Sequence, residues 1–293
     1  MVPELKFQKK VTILSLNERS KKVNLFSITF RNLKAWPEKL GEGFVEGMRY
    51  VGGTFILLSQ TVFWVFAAPL RKKHVLDQMD KIGVKSLPIV LLVAFFTGMV
   101  LALQSAYQMQ RMSAEMYIAS LVSLSVLREL GPVLTALVVA GRVGASITAE
   151  LGTMKVTEQI DALDALATNP VKYLVVPRFL ALLIMLPLLT VYADIIGVFG
   201  GYIIGVFKLN IGSNMYWKMT FDPLVFKDLF TGLVKAVAFA VVIAIVACYQ
   251  GMRTEGGAEG VGKSTTLAVV ISFIMIITTD CFFTALFYFA FRV

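Results

Sequence analysis

Long apolar runs separated by short polar segments set the pattern of this chain. Apolar residues dominate Pro88–Met109, Met116–Ala149, Phe179–Phe207, Leu229–Gln250 and Thr266–Phe291. Each approaches or exceeds the roughly 18 apolar residues that a helix needs to cross a bilayer, so the pattern predicts five transmembrane helices. Between them lie a short loop with Arg111 and Glu115, a polar connection at 150–178, a loop at 208–228 and a Gly-rich loop at 251–265. Ahead of them, Phe44, Met48, Val51, Phe55, Leu58, Val62 and Val65 recur in alternating steps of four and three, which marks one face of a helix. Glu42, Glu46 and Arg49 begin the opposite face, which turns apolar further on. This predicts an interfacial elbow helix that dips into the membrane, with a full span over Val51–Leu70 as the alternative. Arg71, Lys72 and Lys73 follow as a basic turn, and a polar linker runs to Ser86.

The second run differs from the others. At 1.5 Å per residue it measures roughly 50 Å, well beyond a hydrocarbon core of about 30 Å. It must protrude, tilt or bend, and Pro132 is the expected bend. It also leads into a polar segment predicted to hold a short helix over Val156–Ala167, ending near Asn169 and Pro170.

Composition agrees with the pattern. The 293 residues are 57% hydrophobic and 16% charged, against about 45–50% and about 25% in soluble domains. The net charge is +9, and 15 of the 28 Lys and Arg fall in residues 1–87, leaving 13 for the rest. A basic segment before the first strong span stays in the cytoplasm. The predicted organisation is therefore a basic cytoplasmic tail over 1–40, an elbow helix and linker over 41–87, and a five-helix transmembrane domain over 88–293. No basic–aromatic groove pattern suggests nucleic acid, and no apolar h-region follows the first residues as in a signal peptide. Cys248 and Cys281 lie in apolar runs and read as packing residues. His74 is the only histidine, which leaves no basis for a histidine metal site or a catalytic triad; it reads as exposed.

Candidate chemistry sits inside the spans. Arg128, Glu129, Asp194, Lys235 and Asp280 all fall within apolar runs, where a charge at the bilayer centre costs about 2.5–3.5 kcal/mol. Arg128 and Glu129 are neighbours and point about 100° apart on a helix, so each needs a partner elsewhere. Lys235 is the expected partner of Glu129. The group reads either as a polar site lining a cavity or gate, or as structural ion pairs, and the two are compatible. Gly197, Gly201 and Gly205 recur every fourth residue, the small-xxx-small spacing that brings membrane helices close; Gly141 and Gly144 are expected to do the same. The aromatic cluster Phe282–Phe291 reads as a lipid-facing belt.

Gly257–Ser264 fits the phosphate-loop pattern G-x-x-x-x-G-K-S. That motif links a buried strand to a helix in a soluble domain, whereas here membrane spans flank it. No nucleotide domain fits between residues 251 and 265, so the glycines are expected to form a tight turn.

Taken together, these residues resemble a family. Leu127-Arg-Glu-Leu-Gly-Pro132, Ala140-Gly-Arg-Val-Gly-Ala-Ser146, Thr148-Ala-Glu-Leu-Gly152 and Thr157-Glu-Gln-Ile-Asp-Ala-Leu163 closely resemble the MlaE/YrbE permeases of ABC transporters that work with MCE proteins. Asn169-Pro170, Pro177-Arg178 and Gly262–Val269 look similar too, and the resemblance covers roughly residues 45–291. It implies a dimer of permeases in a bacterial inner membrane, each with an elbow helix and five transmembrane helices. It implies two ATPase subunits binding ATP and Mg²⁺ on the cytoplasmic side, a periplasmic ring of MCE domains, and phospholipid or a related lipid as cargo. This chain itself would bind no cofactor. Thr157, Glu158, Gln159 and Asp161 would be polar contacts of a coupling helix, and Arg128, Glu129 and Lys235, with Asp194, would mark the lipid cavity. Lys263 stands where relatives often have Arg. Plastid inner envelopes carry related permeases and are the alternative location. Two other functions compete: an autonomous ion-coupled transporter or channel that relays ions through Glu129, Asp194 and Lys235, and a membrane ATPase that uses the Gly257–Ser264 loop. Inverted repeats would favour the former, and none is evident.

Overall fold

The computed structural model describes residues 45–67 and 72–291; the expected tail over 1–40, Glu42, Phe44 and Arg71 lie outside them. The described residues are helical without strands. The elements are α1 (Val45–Ala67), α2 (Lys72–Ile82), α3 (Leu87–Gln110), α4 (Ile118–Ser125), α5 (Gly131–Val139), α6 (Ala145–Val156), α7 (Gln159–Ala165), α8 (Val176–Phe207), α9 (Ser213–Phe221), α10 (Phe226–Met252) and α11 (Gly257–Phe291). Among the described residues six helical runs are long and apolar enough to cross a membrane: α1, α2–α3, α4–α6, α8, α10 and α11. This is an all-α membrane protein. Val45–Phe55 falls in a separate compact unit from the rest. The second part of α1 buries Leu57 and Thr61, and Trp64 has the ammonium of Lys172 5.4 Å from its ring centre.

α8 and α10 form the centre, with 56% and 50% of their most apolar windows buried, whereas α11 is peripheral at 17%. α3 packs along α8, and α10 is wedged against α5, α6, α8 and α11. The α3–α8 seam is close because two glycines leave room for backbone: a Cβ on Gly98 would land on the carbonyl oxygen of Gly197, and one on Gly200 on that of Phe95. Of the expected small-residue positions, Gly197 and Gly201 face Val126 and Val122, and Gly205 faces the ring of Tyr216. At Gly141 and Gly144 a methyl would make only ordinary contact, 3.7 Å from Phe273 and 3.5 Å from Ile243, so neither admits a close helix in this single chain.

Three segments differ from expectation. The linker before Ser86 is mostly helix: α2 is amphipathic and packs on α8, and His74 is half-buried beside Tyr173, 5.5 Å between ring centres. Four residues, Gly83–Ser86, connect it to α3, so little turn is left. The 208–228 loop contains α9, which buries Tyr216 and Thr220 and stacks Trp217 between Tyr202 and Phe221, at 5.0 and 5.7 Å between ring centres. Burial there pushes the Tyr216 phenol up from its ordinary pKa. The Gly-rich loop is shorter than expected. The turn ends at Gly256 and Gly257, the two glycines with positive φ among the described residues (87° and 66°), and the remaining motif residues form the first turns of α11.

Candidate functional site

The long second run stays helical throughout, interrupted by two π-helical turns, Val126–Leu130 and Ala140–Gly144. Pro132 explains the first. It has no N–H to give the carbonyl of Arg128, four residues back. The helix widens instead, and Gly131 N–H bonds the carbonyl of Val126, five residues back. Such turns recur at functional positions because they push side chains out of register and expose backbone acceptors. Here the carbonyl of Arg128 lies 3.4 Å from Lys235 Nζ.

This turn carries Arg128 and Glu129 to α10 and α11. Lys235 Nζ, from α10 and 1% exposed, donates to Glu129 Oε2 at 2.5 Å and to Thr284 Oγ1 at 2.7 Å, and lies 2.9 Å from Asp280 Oδ1. Thr284 in turn donates to Glu129 Oε1 at 3.2 Å. Arg128 turns to the other side: its Nε and Nη2 each lie 2.7 Å from Oδ1 of the buried Asp228. Asp228 also accepts the N–H of Val225 at 3.1 Å, which caps the start of α10. Arg128, Glu129, Asp228, Lys235 and Thr284, with Lys227, Thr231, Phe287 and Tyr288, line a cavity of about 210 Å³. Its lining carries Arg128, Lys227 and Lys235 against Glu129 and Asp228, and Asp280, outside the lining but paired with Lys235, supplies the third negative charge that balances the group. A phosphate entering here finds cations already held in place, and the carboxylates it would compete with hang from separate helices.

The pairing of Lys235 with Glu129 matches the sequence expectation. Asp194 does not join the group. It is buried in α8, lines no part of this cavity, and its Oδ1 faces Gly131 so closely that a Cβ there would overlap it. Asp228 escaped the sequence reading because it was placed in a loop. The available signal was Arg128 itself, which required an acid, and Asp228 is the acid nearest the start of α10.

At the opposite end of the bundle, α7 follows α6 after a sharp turn at Glu158, whose φ is 59°. Glu158 and Gln159 are exposed. Thr157 bonds the carbonyl of Thr153 at 2.8 Å and receives Gln159 Nε2 at 3.1 Å, and Asp161 is 2.7 Å from Lys155 Nζ. These internal contacts stiffen the turn, while the apolar Ile160 anchors it in the core.

The phosphate-loop match has no phosphate-loop geometry. From Gly257 on the motif is the start of a membrane-length helix rather than a loop joining a strand to a helix, and Lys263 pairs with Glu259 at 2.7 Å on an exposed face. The purified chain is expected to show no saturable ATP binding, with Lys263→Ala indistinguishable from wild type in a fluorescent-nucleotide titration. Tight binding that Lys263→Ala abolishes would overturn this.

The chain matches the family described as Permease MlaE over residues 75–286. It is 49% identical over 233 residues to a "probable ABC transporter permease protein" of Rickettsia typhi, covering 80% of this chain and 88% of that one. It is 38% identical over 240 residues to the "intermembrane phospholipid transport system permease protein MlaE" of Haemophilus influenzae, covering 79% and 92%. It is 34% identical over 233 residues to the chloroplastic protein trigalactosyldiacylglycerol 1 of Arabidopsis thaliana, covering 80% and 67%.

Proposed function

This chain belongs to the MlaE family of ABC transporter permeases, and on that premise we propose that it moves phospholipid between a bacterial inner membrane and an MCE-domain protein, powered by a separate ATPase subunit. The observation that carries this reading is the charge cluster around Lys235. Two buried or half-buried cations, Arg128 and Lys235, stand in an apolar bundle beside Phe287 and Tyr288, in a cavity that suits a phosphate headgroup. The name of the Haemophilus relative supplies the cargo class.

Orientation follows from charge. Lys72, Lys73, Lys81, Lys85, Lys155, Lys172, Arg178, Arg253 and Lys263 collect at the end of the bundle that holds α7, and positive loops stay inside. That end is cytoplasmic, which puts α7 where an ATPase docks and the Lys235 cluster towards the periplasm. In this reading α1 is the elbow helix. Leu267, Val270, Ile274 and Ile277 form an exposed apolar stripe on α11, at steps of three and four, which supports association with a second copy. A plastid inner envelope is the alternative location, given the chloroplastic relative. ATP and Mg²⁺ belong to the partner subunit.

The test is gentle purification of the tagged chain from its native membrane. An ATPase, an MCE protein and stoichiometric phospholipid should come with it; a lone protein driven by an ion gradient would sink the proposal. Glu158→Lys should cut ATPase docking and transport at least tenfold while leaving membrane insertion intact, since it reverses an exposed charge at the α6–α7 turn. Unchanged stoichiometry and turnover would remove α7 from the coupling role.

A further inference from the structure

A second cavity, separate from the Lys235 cluster and about 880 Å³, opens at the basic end between α2 and α6. Its size falls in the range of about 300–1,000 Å³ typical of ligand sites. Lys81, Lys85 and Arg142 line it, together with the hydroxyl residues Ser146 and Thr153. Arg142 sits on the second π-helical turn of the helix that carries Arg128 on its first, about 20 Å further along.

The cations of this cavity are not neutralised as those around Lys235 are. Arg142 donates to the hydroxyl of the buried Ser86 at 2.6 Å, which aims its guanidinium, and it has no carboxylate partner among the described residues. Lys81 makes no ion pair among the described residues, and Lys85 faces Asp80 only at 3.8 Å, with both side chains more than half exposed, a weak pairing. The cavity's one carboxylate, Glu150, is already held by the buried Arg178 at 2.9 Å. The site therefore carries an excess of positive charge at the depth where the apolar run of α3 begins. Val84, just before α3, and Ile89 and Leu92 on it are exposed and apolar.

We propose that this cavity binds the phosphate of an anionic phospholipid from the cytoplasmic leaflet, with its acyl chains along the exposed face of α3. Basic pockets between helices on this side of a membrane have the charge and depth for such headgroups. The leaflet rests on the orientation proposed above, but the binding needs neither an ATPase nor transport, so the two readings fail separately.

The test uses the full chain in nanodiscs of phosphatidylcholine with a minor fraction of phosphatidylglycerol, followed by delipidation and native mass spectrometry. Wild type should retain phosphatidylglycerol over phosphatidylcholine. Lys81→Gln and Lys85→Gln should each weaken that retention about fivefold, as should Arg142→Gln. Arg142→Lys, which keeps the charge, should recover most of the loss. Lys263→Gln, an exposed cation outside the cavity, should behave as wild type. Equal retention in all variants overturns the site, and so does an equal loss in Lys263→Gln. Labelled inorganic phosphate held as tightly as phosphatidylglycerol overturns the lipid source. A Lys81→Cys chain that resists maleimide and cross-links to a second copy shows the cavity covered by protein, and overturns it as well.

Discussion

Lys235→Met should destabilise the protein by about 3 kcal/mol, the lower end of the range for breaking a buried ion pair from one side. Lys235 is buried and holds Glu129, Asp280 and Thr284 at once. Methionine keeps most of the volume and removes the charge, leaving two carboxylates from different helices without a cation. Their partial exposure, 40% for Glu129 and 22% for Asp280, is why the lower end applies. For a chain of this size the loss corresponds to a thermal midpoint lower by about 6–12 °C in detergent. Adding Glu129→Gln and Asp280→Asn should restore most of the stability, because no unpaired charge remains, yet transport should stay abolished. If Lys235→Met melts with wild type, the cluster does not tie the second span to α10 and α11. If the triple variant transports, the cluster is structural only.

Gly98→Ala should cost about 3 kcal/mol, the upper part of the range for overpacking a close-packed interior. The added methyl meets the backbone carbonyl of Gly197, which has no rotamer to escape into. Relief requires α3 and α8 to part by roughly 1.5 Å to reach ordinary carbon–oxygen contact, and that seam is continued by Gly200 against Phe95. Gly141→Ala is the counterpart. Its methyl would lie 3.7 Å from Phe273, and alanine is the better helix former by about 1 kcal/mol, so this variant should be neutral or slightly stabilising. Thermal unfolding of the two variants side by side checks both signs. A Gly98→Ala chain as stable as wild type would mean that the seam is looser than its backbone positions imply.

The two glycine predictions also mark where sequence reasoning stops. Gly197, Gly201 and Gly205 stand out by spacing, yet Gly98 and Gly200, which bring backbone against backbone, do not share a regular interval with them. Spacing reports which face a residue occupies on its own helix; it does not report what stands opposite. The same limit governs the charges. Lys235 and Glu129 were legible as partners because a membrane leaves an ionisable group few alternatives. Asp228 was not, because three residues of helix more or less at the start of α10 decide whether it belongs to a loop or to the bundle. Lys81, Lys85 and Arg142 lie far apart in the chain and share no motif, and only the packing of α2 beside α6 makes them neighbours.

Hydropathy was sufficient for the class of protein, the five strong spans and the oddity of the second, because the cost of burying backbone and charge in lipid is paid locally, residue by residue; the family resemblance came from short contiguous motifs, which are local too. The π-helical turns, the helices α2 and α9, the passage of the Gly-rich segment into α11 and the two cavities depend on contacts between segments up to 100 residues or more apart. Those contacts depend on the rotation and depth at which each helix settles against its neighbours, and no local pattern carries that information.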